Sequence, residues 1–184
     1  MTTLAAFETI TAAEGRPAID DAAAGSWSPT LEASYHDLAG AVLGYFRSHR
    51  VDQAEDLLGE VFISVARNLH RFHGNRDDFR RWVFAIAHRR RVDHVRRWRR
   101  HRHVIAADPP HRPTTDRSSG LDVDLVAALA ELTPLQREVV VLRFVADLSL
   151  RDVARIIGRS GGAVKALQGR ALAQLARRLG EPGE

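Results

Sequence analysis

Residues 149–175 read SLRDVARIIGRSGGAVKALQGRALAQL, and this stretch decides the fold of the C-terminal part of the chain. Ser149 can cap a short helix whose apolar residues recur every three to four positions and which stops at Gly158. Ser160 can cap a second, longer helix after a turn of about three residues. This order predicts a helix-turn-helix, a DNA-binding unit whose second helix enters the major groove with its N-terminal half. An ordinary helical hairpin within a bundle is the alternative.

The N-terminal half of the longer helix has residues that suit contact with DNA. Lys165, Ala166 and Gly169 lie away from the apolar stripe through Val164 and Leu167. Small side chains before them let the backbone approach phosphates, which the N-terminus of a helix attracts. We therefore expect this half of the helix to face DNA.

Helical signals continue towards the N-terminus. Residues 133–136 read Thr-Pro-Leu-Gln, a capping box with proline at the first helical position, and they predict a helix start. Leu125, Leu129 and Leu132 predict a helix before it. Residues 106–120 contain three prolines and no apolar stripe, which is typical of a linker. Fully extended, such a linker spans at most about 50 Å.

Three further helices are predicted before the linker. Their apolar stripes are Tyr35, Leu38, Ala39, Val42 and Phe46; then Ala54, Leu57, Leu58, Val61, Phe62, Val65 and Leu69; then Phe79, Trp82, Val83 and Ile86. Asp52 and Glu55 have the spacing of an acidic capping box for the second helix, and Asp77 or Asp78 could cap the third. Opposite the second stripe, acidic residues surround Ile63, which suggests a face that docks on another protein.

Residues 88–103 are the most basic part of the chain, with eight arginines, four histidines and Asp93 as the only acid. A solvated helix normally alternates the sign of its charges. Uncompensated positive charge of this density favours a polyanion, with binding that depends steeply on salt. Phe72, Phe79, Trp82 and Trp98 could stack on unpaired bases, although the spacing of Trp82 also suits a core position.

Composition limits the remaining possibilities. The formal net charge is +4, but residues 1–37 hold six acids and one arginine, so residues 38–184 carry +9. Cysteine is absent, which excludes disulfides and thiolate metal sites, and the histidine pairs have no matching carboxylate set. We expect no metal, no cofactor and no catalytic site. Neither a signal peptide nor an apolar run of membrane-spanning length is present, so we expect a cytoplasmic protein without membrane insertion.

These observations predict an all-α protein of two small helical domains joined by a flexible linker. The expected segments are a flexible acidic tail (1–30), a first domain (31–105), the linker (106–120), a second domain (121–180) and a short tail (181–184).

Several motifs together resemble one known family. AEDLLGEVF at residues 54–62, FHG at 72–74, FRRWVFAIA at 79–87 and DHVRR at 93–97 closely resemble region 2 of extracytoplasmic-function (ECF) sigma factors, a subfamily of the sigma-70 family. LAELTPLQREV at residues 129–139 and LR at 142–143 resemble region 4. Further matches to region 4 are Leu148, Ser149, Ala154, Ile157, Gly158, Val164, Lys165, Arg170 and Ala171. The resemblance covers about residues 35–180, and the order and separation of the motifs match as well.

The resemblance implies a sigma factor, which binds core RNA polymerase and directs promoter recognition and DNA melting. It implies docking on the largest polymerase subunit through Glu55, Asp56, Glu60 and Ile63. It implies contact with the −10 element through Phe72, His73, Gly74, Asn75, Phe79, Trp82, Arg89, Arg90, Arg96 and Arg97. It implies contact with the −35 element through Arg143, Gly162, Ala163, Lys165, Ala166, Gly169 and Arg170. Region 4 would also grip the second-largest subunit, and an anti-sigma factor is expected as a further partner.

Two other functions fit part of the sequence. A helix-turn-helix regulator that binds DNA without polymerase accounts for residues 121–180 but leaves the region 2 pattern unused. An RNA-binding or adaptor module accounts for the basic helix but not for the acidic docking face. Arg89, Ala163 and Gly169 depart from common family residues, so base preference at the two elements does not carry over from the family.

Overall fold

The computed structural model describes residues 29–102 and 123–180, and within these ranges the chain is helical without strands. The helices are α1 (Leu31–Ser48), α2 (Ala54–Asn68), α3 (Arg76–Arg102), α4 (Val123–Glu131), α5 (Pro134–Phe144), α6 (Leu150–Ile157) and α7 (Gly161–Gly180), with a short 3-10 helix at Leu69–Arg71. The all-α prediction is confirmed for this part of the chain. The predicted linker at 106–120 and most of the predicted N-terminal tail lie outside the described residues.

Helices α1, α2 and α3 pack on one another and form the N-terminal bundle. Leu38, Val42 and Phe46 bury the predicted stripe of α1, and the stripe of α2 is buried from Ala54 to Val65. Tyr35 is an exception, because it is 46% exposed, although its ring meets that of Phe62 in a T-shaped contact with the centroids 4.9 Å apart.

The buried surface of α3 is wider than its sequence pattern predicts. Phe79, Val83 and Ile86 are buried as expected, but Phe84 and Ala87 are fully buried too. A helix that buries one stripe against one neighbour would leave Phe84 exposed, since it lies about 100° round the helix from Val83. The additional burial indicates that α3 packs on a second side.

Helices α4 to α7 form the C-terminal bundle, in which α7 contacts α4, α5 and α6. Val164, Ala171 and Leu175 bury one side of α7. Leu179 and, on α5, Phe144 lie at the C-terminal ends of their helices and are about half exposed.

Arg137 stabilises the end of α4 from the neighbouring helix. Its guanidinium donates hydrogen bonds of 2.7 Å to the carbonyl oxygens of Leu129 and Ala130. The last carbonyls of a helix have no partner within the helix, so this side chain satisfies groups that would otherwise need water. Burial lowers the pKa of Arg137 from its ordinary value, with nearby Arg50 and Arg91 acting in the same direction.

Some of the predicted helix caps are present in the structure, and the one predicted for α2 is not. Thr133 caps α5 through a complete capping box with Gln136, and Ser149 and Ser160 accept hydrogen bonds from Asp152 N and Ala163 N. The acidic box at the start of α2 is wrong, because Gln53 is the N-cap and makes no side-chain cap hydrogen bond.

The cap of α5 gives a direct test of the fold. Replacing Thr133 by alanine removes the hydroxyl that accepts from Gln136 N, at 3.3 Å, and the loss of such a cap costs about 1 kcal/mol. We expect a lower free energy of unfolding in urea denaturation followed by circular dichroism. Thr133→Ser retains the hydroxyl and is the control. Equal unfolding midpoints for the alanine and serine variants would contradict the role assigned to this cap.

Candidate nucleic-acid interface

The helix-turn-helix occupies α6, the turn and α7. Gly158 has φ of +65°, a left-handed conformation that favours glycine, and this residue ends α6. The residues predicted to contact the −35 element on α7 are all exposed: Gly162, Ala163, Lys165, Ala166, Gly169 and Arg170. The structure therefore places these residues together on the exposed N-terminal half of α7.

Basic side chains that were not predicted line the surface between α6 and α7. Arg151, Arg155 and Arg159 surround it together with Lys165. Their spacing of four residues places them on one side of α6 and its C-terminal turn, a signal that was present in the sequence. Arg155 also lies 3.8 Å from Asp152. The positive surface is therefore broader than α7 alone.

Arg143 does not belong to this surface. Its guanidinium donates to the carbonyl oxygen of Leu148, and its Nε atom is buried without a hydrogen-bond partner. The side chain holds the turn between α5 and α6 through this contact. The predicted contact of Arg143 with the −35 element stays a prediction.

An aromatic cluster supports the loop between α2 and α3. Trp82 stacks on Phe72, with ring centroids 5.4 Å apart and planes at 28°, and Phe79 meets Phe72 edge-on at 5.1 Å. Phe79 is only 2% exposed, so it cannot offer a face to a base without rearrangement. We correct its predicted role from stacking on DNA to supporting Phe72 and Trp82, which are half-buried.

The loop is closed by a reciprocal cap at the start of α3. Asp78 N donates to the Asn75 side-chain oxygen at 2.9 Å, and Asn75 N donates to Asp78 Oδ2 at 3.2 Å. The prediction that Asp77 or Asp78 caps α3 is therefore wrong, because Asn75 is the capping residue. His73, Gly74 and Asn75 are exposed, and the side-chain oxygen of Asn75 is already engaged in the cap.

The basic residues of α3 divide into two sets. Arg90 reaches Glu60 at 3.3 Å and Ser64 at 2.7 Å, and Arg91 pairs with Glu138. Arg89, Arg96 and Arg97 are exposed. Asp93 lies 4.0 Å from Arg89 and 4.0 Å from Arg96. The expectation of uncompensated charge is therefore only partly correct, because acids on other helices neutralise the inward-facing arginines.

The predicted docking face lies on the exposed side of α2. Ile63 is 53% exposed, and Glu55 and Asp56 are exposed as well. Arg47 donates a 2.7 Å hydrogen bond to Glu55 and thereby holds the pKa of that carboxyl below its ordinary value. Glu60 is half-buried and paired with Arg90, so Asp56 and Ile63 are the more accessible members of this face.

The two bundles meet at a buried carboxylate. Glu138 of α5 is 2% exposed and contacts Tyr45 and His49 at α1 and His88 and Arg91 on α3. We call these five residues the Glu138 cluster. Sequence patterns gave no signal for it, since its members are distant along the chain. It explains why α3 is buried on a second side.

Neither a metal-binding cluster nor a membrane-spanning helix is present among the described residues. No group of three or more histidine, aspartate or glutamate side chains there is arranged to hold a metal ion. Among the described helices, none combines the length and apolar character needed to cross a membrane.

Each of the two bundles matches a known family. The family described as "Sigma-70 region 2" matches residues 31–101, and the one described as "Sigma-70, region 4" matches residues 128–177. Both sigma-70 regions are thus present in one chain, with region 2 before region 4. The chain belongs to the ECF subfamily of sigma-70 RNA polymerase sigma factors.

Curated relatives carry the same family name. ECF RNA polymerase sigma factor BldN of Streptomyces coelicolor is 34% identical over 142 residues, which cover 73% of this chain and 54% of BldN. ECF RNA polymerase sigma factor ShbA of Streptomyces griseus is 37% identical over 133 residues, which cover 66% of this chain and 69% of ShbA. The chain thus spans about half the length of BldN and about two thirds of ShbA.

One solved structure supports the fold. The sigma factor RpoE of Bartonella quintana, in complex with the anti-sigma factor NepR, superposes with a TM-score of 0.66 at 22% identity. The match covers 83% of this chain and 98% of that one. At this identity the likeness concerns the fold alone.

Gly74 tests the geometry of the loop before α3. A Cβ atom at this position would lie 2.9 Å from Asp78 Cβ and 3.1 Å from Phe72 Cζ, so the cap and the aromatic cluster would have to shift. We expect Gly74→Ala to lower the free energy of unfolding by about 1–3 kcal/mol, as overpacking does. Urea denaturation is the measurement.

Gly40 provides the matched control for this change. It is exposed on α1, and an added Cβ there meets nothing within 4 Å. Alanine should stabilise a helix interior by about 0.5–1 kcal/mol relative to glycine. If Gly74→Ala were as stable as Gly40→Ala, the tight packing assigned to the loop would be wrong.

Proposed function

We propose that this sigma factor binds core RNA polymerase and directs it to promoters by contacts with the −10 and −35 elements, followed by DNA melting. The presence of region 2 and region 4 together in one chain carries this proposal. The helix-turn-helix regulator remains the alternative, but it gives no role to residues 31–101. We further propose that the protein acts in the cytoplasm and is not an enzyme.

We assign residues to polymerase docking and to the two promoter contacts according to the exposure of their side chains. Asp56 and Ile63 would dock on the largest polymerase subunit, with Glu55 and Glu60 shaping the face. The −10 element would meet His73 and Trp82 at the loop and the exposed arginines of α3. The −35 element would meet the N-terminal half of α7. Each of these surfaces is accessible in the described structure.

The polarity of these surfaces supports the assignment of some to DNA and of one to a protein partner. Exposed cations neutralise phosphates and position the protein on DNA, whereas an exposed apolar residue among acids suits a protein partner. Stacking surfaces such as Trp82 are needed to hold bases that have left the duplex stack, which costs a few kcal/mol per base. The structures of two related proteins are described as complexes, one with the anti-sigma factor NepR and one with the cytosolic domain of CnrY. We propose an anti-sigma factor as a further partner here.

Reversing the charge of Asp56 tests polymerase docking. Asp56→Lys places a cation on the proposed docking face while leaving the core untouched, since exposed changes alter stability by only about 0.5 kcal/mol. We expect loss of copurification with core polymerase and normal helicity. Glu32→Lys makes the same charge change at an exposed site on α1 and should bind polymerase normally. Normal assembly of the Asp56→Lys variant would exclude this face.

Lys165 tests the −35 contact. Replacement by alanine should weaken promoter binding by roughly 1–3 kcal/mol if the lysine contacts a base, and it should reduce the salt dependence if it contacts a phosphate. Arg177→Ala removes an equally exposed cation near the C-terminal end of α7 and is the control. Binding of reconstituted holoenzyme should be measured over a range of salt concentrations. Identical binding by both variants would argue against α7 as the recognition helix.

A further inference from the structure

The side chains on the N-terminal half of α7 determine which base edges this half of the helix can bind. Val164 and Ala171 are buried, so the opposite side of the helix faces outwards. Gly162, Ala166 and Gly169 lie within about 40° of the centre of that outward side. An added Cβ atom at either glycine meets nothing within 4 Å, so packing inside the chain does not require glycine there. We call the side that carries Gly162, Ala166 and Gly169 the bare face of α7.

Cations lie beside the bare face and not on it. Around the helix, Lys165 is about 80° from the centre of this face on one side, and Arg170 is about 60° from it on the other. Arg151, Arg155 and Arg159 line the surface between α6 and α7 together with Lys165. The major groove is about 12 Å wide and admits one helix, so its phosphates lie beside an inserted helix. The cations are thus placed for phosphates, and the bare face is placed for the base edges.

The chemistry of a side chain decides which base it recognises. Arginine and lysine pair with the N7 and O6 acceptors of guanine, an amide pairs with adenine, and a carboxylate accepts from cytosine. Small apolar side chains contact the methyl group of thymine. Among the exposed residues between 161 and 170, none carries an amide or a carboxylate. The contacts that remain are to guanine edges and to thymine methyl groups.

Gln168 is the amide in this part of α7, but it is not placed to read adenine. The residue is half-buried, and its side-chain oxygen is buried without a hydrogen-bond partner. Paired hydrogen bonds to adenine need both ends of the amide at the same base edge. Arg143, which is also predicted to contact the −35 element, is a cation and adds no group that reads adenine or cytosine.

We propose that region 4 of this chain reads the −35 element through guanine edges and thymine methyl groups, while Arg151, Arg155 and Arg159 hold the phosphate backbone beside it. This inference rests on the proposed function, because it names the base chemistry of the −35 contact assigned there. Lys165 pairs with guanine, and Ala166 contacts a thymine methyl group. Most of the affinity then comes from phosphate contacts, which do not depend on sequence.

Base analogues that remove single groups test this readout. The reference promoter is selected by holoenzyme, reconstituted with the full-length chain, from a library with a random −35 region. At the contacted guanine, 7-deazaguanine removes the N7 acceptor and should weaken binding about fivefold. At the contacted thymine, deoxyuridine removes the methyl group and should weaken binding about fourfold. Weakening of a similar size by 7-deazaadenine at −35 adenines would overturn the inference, because it predicts no effect there.

Variants of α7 assign each effect to a side chain. In Lys165→Ala, 7-deazaguanine should no longer weaken binding, and in Ala166→Gly the same should hold for deoxyuridine. Arg177→Ala and Ala176→Gly make the same changes at exposed sites further along α7 and should keep both sensitivities. Sensitivities that persist in Lys165→Ala and Ala166→Gly would overturn the inference.

The phosphate contacts have a different signature. Arg151→Ala should lower the affinity for all −35 sequences by the same factor, and it should reduce the salt slope by about one phosphate contact. Arg177→Ala should leave both quantities unchanged. A loss that is confined to promoters with one particular base, or an unchanged salt slope, would overturn the role assigned to the arginines beside α7.

Failure of the proposed function gives a different result. If holoenzyme with the unmodified chain selected no −35 sequence and bound no promoter, the proposed function would fail, and the inference would fail with it. If the holoenzyme selected a −35 sequence but responded to the adenine analogue, the proposed function would stand and only the inference would fail.

Discussion

The buried carboxylate of Glu138 is the interaction on which the arrangement of the two sigma regions depends. A charge that leaves water must be compensated, and breaking a buried ion pair by removing one partner typically costs about 3–5 kcal/mol. Here the compensation comes from Tyr45, His49, His88 and Arg91, which α1 and α3 bring to one point. The contact therefore requires α1 and α3 together, and its specificity arises from geometry that no single helix provides.

The need to compensate buried charge also explains the different roles of the basic residues of α3. The sequence shows eight arginines between residues 88 and 103, but their density reflects two structural roles. Arg90 and Arg91 meet acids on α2 and α5, whereas Arg89, Arg96 and Arg97 are exposed. The Arg91 side chain is only 16% exposed, so it is the least available of these arginines for binding a phosphate. A charge count along the chain overestimates the surface available to DNA.

Local signals predicted much of the fold, and long-range contacts account for what they missed. The caps at Thr133, Ser149 and Ser160 were predictable because a hydroxyl and a backbone N–H three residues later decide them. The start of α3 was assigned wrongly because Asn75 and Asp78 compete for the same role and their sequence does not rank them. Phe84 and Glu138 were missed because their burial depends on helices that are distant along the chain. The Phe84 ring meets Tyr45 of α1, and Glu138 lies among side chains of α1 and α3.

Contact with the backbone, rather than residue type, separates structural from exposed cations in region 4 as well. Arg143 has a side chain suited to DNA, yet the turn between α5 and α6 engages its guanidinium at Leu148. Lys165, Arg151 and Arg159 remain exposed on either side of the left-handed turn at Gly158. An arginine that donates to a carbonyl group in a turn helps to fix the angle between the flanking helices. The structural arginine thus determines where the exposed cations point, and both sets are needed for a defined binding surface.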